Sequence, residues 1–252
     1  MMMMKRIMYL LLVLISFSVH SQNESLFEQG KEAYKNGNYQ EAVDHWKKII
    51  DGGQTSANLY YNLGNGFYKL NMIGPSIYYY EKALQLDPAD SDIKNNLAFA
   101  ENARIDAIEP LPQSFITRWS NNISGFLSTD GWAGLSVAFI VFFATLFLSY
   151  YFSSRETSKR LLFTGAMVIL FLFGGSLFMA FNTHSKNNRD RNAIIFANRL
   201  EIKSEPRMGS STSFALHEGT KVRITAEDGD WVRIHLADGK DGWAPASELK
   251  EL

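Results

Sequence analysis

The rhythm of apolar and polar positions changes several times along this chain of 252 residues. Behind Lys5 and Arg6 lies an apolar stretch, Ile7 to Val19, and from residue 23 to about 107 apolar residues recur at the spacing of amphipathic helices. Over 114–129 the same spacing sets Phe115, Ile116, Trp119, Ile123, Phe126 and Leu127 opposite Ser120, Asn121, Asn122 and Ser124. Trp132–Phe152 and Leu161–Thr183 then carry no charge at all. Beyond Arg191 the period shortens to two, as in Val222, Ile224 and again in Val232, Ile234, Leu236. Pro110 and Pro112 end the helical region, and Asp228-Gly229-Asp230 and Asp238-Gly239 supply tight turns between alternating runs. The pattern predicts a multi-domain membrane protein: an all-α array, a transmembrane helical hairpin and a small all-β barrel. Strands are expected at Ala193–Phe196, Leu200–Lys203, Lys221–Thr225, Trp231–Leu236 and Asp241–Ala244.

The apolar stretches differ in what they can span. A helix rises about 1.5 Å per residue, so the first run reaches roughly 20 Å, short of a hydrocarbon core of about 30 Å. With its basic start and small Ser21 before Gln22, segment 1–21 reads as a signal peptide, or else as an uncleaved anchor. The segments 132–152 and 161–183 are long enough to cross, with Trp132, Tyr150 and Tyr151 at interfacial positions. Two crossings return the chain to its starting side, so both soluble parts share a compartment. An exported start makes the loop 153–160, with Arg155, Lys159 and Arg160, cytoplasmic, although Lys186, Arg189, Arg191 and Arg199 pull the other way. Segment 114–129 is expected to lie in the membrane interface or to pack on the upstream domain. Gly165, Gly174, Gly175 and the Ser176/Ala180 pair allow close helix packing in the bilayer.

The helical region, 22–110, is internally repetitive. A shift of 34 residues superimposes Gly30 on Gly64, Tyr34 on Tyr68, Trp46 on Tyr80 and Ile50 on Leu84. That period, with Leu63-Gly64-Asn65, Phe67, Tyr68, Tyr80, Ala83 and Asp87-Pro88, resembles the tetratricopeptide repeat, with copies at about 23–56 and 57–90 and a capping helix at 91–107. In the second copy Asn71 and Ser76 depart from the usual small residues. The resemblance implies a solenoid whose groove is lined by the first helix of each pair. Its register assigns Phe27, Lys31, Tyr34, Lys35, Tyr61, Asn65, Tyr68, Lys69, Asn95 and Phe99 to that groove, as partner-binding anchors or, for part of the aromatics, as packing between repeats. Over 191–252 the order Leu200, Pro206, Gly219, Gly229-Asp230-Trp231 and Gly242-Trp243 resembles the bacterial SH3-like family. Trp231 and Trp243 are candidates for its core or for a ligand platform.

Charge sharpens this picture. The total of 25 basic and 26 acidic side chains is balanced, so no polybasic field for nucleic acid exists, yet the repeat region is acidic and the short loop basic. The absence of cysteine removes disulfides, thiolate metal sites and thiol nucleophiles. No phosphate loop, nucleophile elbow or zinc-helix motif is present, and His217 and His235 have no carboxylate at metal-ligand spacing. The expectation is a protein without enzymatic activity, cofactor or metal, in which every carboxylate of the repeat region sits on a solvated helix face.

The order of signal peptide, short tetratricopeptide array, membrane hairpin and SH3-like tail resembles the BatE family of the bacterial aerotolerance operon. That resemblance implies envelope partners, including von Willebrand factor A-type membrane proteins and a MoxR-like ATPase system. It implies a bacterial inner-membrane location with both soluble domains in the periplasm. The function expected is a membrane-anchored scaffold for protein–protein interactions linked to aerotolerance or stress. The alternative is a protein that binds or senses peptidoglycan through the SH3-like domain.

Overall fold

The computed structural model describes residues 23–112, 114–189 and 191–252; the proposed signal segment lies outside them. Five helices come first: α1 (23–35), α2 (Tyr39–Asp51), α3 (Ala57–Lys69), α4 (Ile73–Leu86) and α5 (Ser91–Asn102). Their starts follow from local chemistry. Ser56 accepts from the Leu59 N–H, and Asp90 accepts from the N–H groups of Asp92 and Ile93, satisfying donors that a helix leaves open. Repetition is visible at the turns, where Gly37 (φ 82°) and Asn71 (φ 60°), 34 residues apart, both take the left-handed conformation. Asn is among the few residues with a Cβ that tolerate it, so Asn71 does in one copy what Gly37 does in the other.

The repeat core is built from glycine–aromatic contacts. A Cβ on Gly30 would sit 2.3 Å from Nε1 of Trp46, and one on Gly64 would sit 2.5 Å from the Tyr80 ring. Both aromatics are fully buried, which requires the helix backbones to approach this closely. Ser76 is buried at the same crossing and donates to the Gly64 carbonyl at 2.9 Å, so its hydroxyl is satisfied where an alanine would serve for size alone. The closing helix α5 ends at Asn102, earlier than the pattern suggested, and an extended strap, residues 103–112, follows it.

The middle of the chain forms α6 (Phe115–Ser124), α7 (Thr129–Phe152) and α8 (Glu156–Arg189). Helices α7 and α8 are long and apolar enough to cross a membrane. They pack antiparallel: Tyr150 meets Phe163 at 5.8 Å between rings, and the buried hydroxyls of Ser136 and Ser176 hydrogen-bond at 2.9 Å. Ala180 is buried as well, whereas Cβ atoms on Gly174 and Gly175 would meet nothing within 4 Å. Only residues 153–155 connect the two helices, because Glu156 to Arg160 already belong to α8.

The C-terminal unit is a seven-stranded antiparallel sheet in the order β3-β2-β6-β5-β4-β1-β7. Its strands are β1 (Asn192–Ile195), β2 (Arg199–Lys203), β3 (Thr212–His217), β4 (Lys221–Asp228), β5 (Trp231–His235), β6 (Asp241–Pro245) and β7 (Leu249–Glu251), with a short 3-10 turn at Ala246–Glu248. Two strands exceed the sequence expectation. Strand β3 alternates weakly because Phe214 is only half-buried, and β7 has three residues. Ala193, Ile195, Ile202, Val222, Ile234 and Ala244 form the core of this barrel.

Candidate functional site

The anticipated groove residues do not behave alike. Phe27 packs against the repeat core and its carbonyl accepts from the Trp46 indole at 3.2 Å, while the Lys31 ammonium lies 5.8 Å from the centre of its ring. Tyr34 is half-buried, edge-on to Tyr39 at 5.2 Å, and its burial raises its pKa. Lys35, Tyr68, Lys69 and Asn95 are exposed, and Phe99 leaves 64% of its surface in solvent. Tyr61 and Asn65 are drawn together through a residue the register did not assign. Asn96 donates to the Tyr61 hydroxyl at 3.0 Å and to Oδ1 of Asn65 at 2.9 Å, and the Tyr80 hydroxyl donates to the same Oδ1 at 2.6 Å. Burial first, and the neighbouring Tyr61 second, push the Tyr80 pKa up, so it stays a donor across the physiological range. Asn96 directly precedes the buried Leu97, so it flanks the packed face of α5, whereas Asn95 lies farther round the helix. The helical period at Ile93, Leu97 and Ala100 was the signal that could have found it.

The barrel is docked on the helices rather than tethered to them. Strand β1 is buried on both faces: Ala193 and Ile195 enter the barrel core, and Ile194 enters the helical core among residues such as Ile77 and Tyr80. Tyr78 meets Phe196 edge-on at 5.7 Å, with the Lys250 ammonium 4.9 Å from the Tyr78 ring. Gly74 in the first turn of α4 donates to the Glu218 carboxylate at 3.3 Å, which places an anion at a helix N-terminus. Glu81 pairs with Lys221 at 2.6 Å. The strap adds Leu111, whose N–H donates to the Ala237 carbonyl at 2.9 Å, and Ile108, which packs on the barrel core.

Asp106 is the hub of this junction. Its Oδ2 accepts from the His217 N–H and from the Thr220 hydroxyl, each at 2.6 Å, and its Oδ1 lies 2.8 Å from His217 Nδ1. Burial alone would raise its pKa; the hydrogen bonds from Thr220 and His217 outweigh that and hold the carboxyl below its usual value. One expectation is thereby corrected: Glu81 and Asp106 are not on solvated helix faces, because both are taken up by the barrel. His217 gains a structural partner 111 residues away that spacing cannot reveal. Among the described residues no group of three or more His, Asp or Glu side chains could hold a metal ion.

Trp231 and Trp243 are half-buried, and neither belongs to the barrel core. Gly242 and Ala244 point inward on either side of Trp243, so its indole stands on the outer face, in register with Arg233 on β5 and Lys203 on β2. Trp231 pairs with Pro245 where β5 begins.

With this geometry in view, residues 57–90 match the family model of the tetratricopeptide repeat, and residues 198–250 match that of the bacterial SH3 domain. The chain is also similar to a putative N-acetylmuramoyl-L-alanine amidase, YrvJ, of Bacillus subtilis (strain 168), at 29% identity over 77 residues. The similarity takes in the SH3 region and covers 31% of this chain but only 14% of the amidase. The chain therefore carries a tetratricopeptide repeat and a bacterial SH3 domain, two modules of binding type, joined by a pair of long apolar helices.

Proposed function

We propose that this chain is a non-enzymatic scaffold anchored in the bacterial inner membrane by α7 and α8. On this reading it holds an envelope protein in the groove of its repeats. The observation that carries it is the docking of the barrel on α4 and the strap, which leaves the groove side, with Tyr61, Asn65, Tyr68, Asn96 and Phe99, clear of the barrel. Docking also supports placing both soluble units in one compartment, since Ile194 could not reach the helical core from across a bilayer. The exported side is the periplasm in this reading, with residues 153–155 turning in the cytoplasm. The resemblance to the BatE family adds aerotolerance, von Willebrand factor A-type proteins and a MoxR-like ATPase as the partners to look for. Capture of the tagged full chain from gently solubilised membranes should recover envelope proteins. The double variant Tyr61→Ala/Phe99→Ala should lose them while keeping its fold. Retention of every partner by that variant would overturn the groove assignment. Reporter fusions after residues 110, 154 and 252 should read exported, cytoplasmic and exported.

A second reading, recognition of peptidoglycan, is favoured by the bacterial SH3 match and by the relative named as an N-acetylmuramoyl-L-alanine amidase. The outward Trp243 between Arg233 and Lys203 is the surface it would use. Cosedimentation of the full chain in detergent with purified cell wall, lost on Trp243→Ala, tests it; failure to sediment removes it.

A further inference from the structure

A cleft of about 240 Å³ lies where the repeats meet the ends of the apolar helices. Glu81 and Gln85 of α4 line one side; the turn from α6 into α7 and Thr183, near the end of α8, line the other. The turn is held in shape by two bonds: the Trp132 indole donates to the Ser124 carbonyl at 3.3 Å, and the Ser128 hydroxyl accepts from the Gly131 N–H at 3.2 Å. Ser136 bonds to Ser176, and Thr129 and Thr183 each lie seven residues from that pair, so both stand at one level of the antiparallel hairpin. Three groups lining the cleft have acceptor capacity to spare. The Thr183 hydroxyl is buried and has no hydrogen-bond partner among the described residues, whereas Thr145, on α7, bonds in the usual way to the carbonyl one turn back, at 2.9 Å. Glu81 gives Oε1 to Lys221 at 2.6 Å and leaves Oε2 unused, with only 14% of its side chain exposed. Gln85 has no side-chain hydrogen bond among the described residues. A buried hydroxyl without a partner is costly, so its place beside a cleft points to a group that enters and completes it.

We infer that this cleft receives the headgroup of a phospholipid carrying a primary ammonium, its N–H groups shared among Thr183, Glu81 and Gln85 and its phosphate beside the hydroxyls of Ser128 and Thr129. A primary ammonium has three donors for these three acceptors, and a trimethylated headgroup has none. Among the described residues Glu81 is the only charged side chain lining the cleft, and Lys221 already balances it. A headgroup that is neutral as a whole therefore suits the site better than a lone cation or anion, which would leave one charge unpaired. The occupant is a lipid rather than a soluble amine because the cleft lies level with the first turn of α7, where a bilayer's headgroups would stand, with Leu127 and the exposed Phe126 on the turn to meet acyl chains. The site rests on the reading of α7 and α8 as a membrane hairpin and is independent of the repeat groove and of Trp243.

Native mass spectrometry of the detergent-solubilised full chain tests it with four lipids of identical acyl chains: phosphatidylethanolamine, its N,N-dimethyl derivative, phosphatidylcholine and phosphatidylglycerol. Affinity should fall along the first three, with phosphatidylcholine weaker than phosphatidylethanolamine by roughly tenfold or more, as loss of charge-assisted N–H bonds requires, and phosphatidylglycerol no tighter than phosphatidylcholine. Thr183→Val and Gln85→Leu should each weaken phosphatidylethanolamine by roughly threefold or more and leave phosphatidylcholine unchanged. Thr145→Val, on α7 away from the cleft, should alter neither. Equal affinity for the ethanolamine and choline lipids, a preference untouched by both Thr183→Val and Gln85→Leu, or displacement by equimolar glycerophosphoethanolamine would each overturn the assignment. In a chain that requires detergent, such a result removes the lipid site alone; a full chain soluble without detergent removes the membrane reading and the site with it.

Discussion

At residue scale the sharpest constraint is the contact between Gly64 and Tyr80. Adding a methyl group at 2.5 Å from a fully buried ring forces either the ring or the helix to move. Gly64→Ala should therefore lower stability by about 1–3 kcal/mol, read from the denaturant midpoint of the full chain in detergent. Asp106→Asn keeps the shape of the junction hub and removes its charge. It should cost about 1–3 kcal/mol through weakened bonds to His217 and Thr220. The pH dependence follows from the sign of the shift. The folded carboxyl titrates below its ordinary value of about 3.9, so its contribution is whole above that value and is lost as pH falls through the lower folded one. Between pH 5 and 3, roughly, the parent should lose stability more steeply than Asp106→Asn; parallel curves would remove Asp106 as the acid-sensitive group. Burial also pushes Tyr79 up to about 12, and its ring stacks on Phe67 at 5.4 Å within the repeat core.

At the scale of elements, α6 is the helix whose setting the sequence left open. Phe115 and Trp119 leave 75% and 58% of their surfaces uncovered. A short helix with an apolar exposed edge, followed after a few residues by a 24-residue apolar helix, fits a headgroup-level position. Reconstituted into vesicles whose lipids carry bromine near the headgroup, Trp119 should contribute quenching that Trp119→Phe abolishes; no change on that substitution would place the helix in water. The interhelical bond from Ser136 to Ser176 is a modest contributor, and its loss in Ser136→Ala should cost about 0.5–1 kcal/mol of hairpin stability.

At the scale of the molecule, the repeats and the barrel form one folded body. Ile194 is fully buried in the helical core, so Ile194→Ala should cost about 2–4 kcal/mol and loosen both units together. A barrel made without its helices would expose Ile194, Phe196 and Leu252 and should self-associate, as size-exclusion chromatography would show. Two binding modules docked on each other and carried with a pair of apolar helices fit the proposed scaffold better than two domains on a loose tether.

Periodicity alone determined a great deal here. The repeat, the two charge-free helices and most of the barrel strands are local patterns, set by whether apolar residues recur at 3.6 or at 2. Glycine at 30 and 64 against aromatics at 46 and 80 was likewise legible, because both copies carry it at the same offset. The junction was decided only by tertiary structure. Asp106 and His217 are separated by 111 residues and an apolar hairpin, and no local pattern links them. One trace did lie in the sequence: Ala193 to Phe196 is a continuous apolar run where a half-solvated strand should alternate, the mark of a strand covered on both faces. What covers its second face could not be read from it, because apolar burial is non-directional and many surfaces would serve. The choice fell to the shape of α4 and to the charges of Glu81, Glu218 and Asp106 meeting their partners once the chain had folded back on itself.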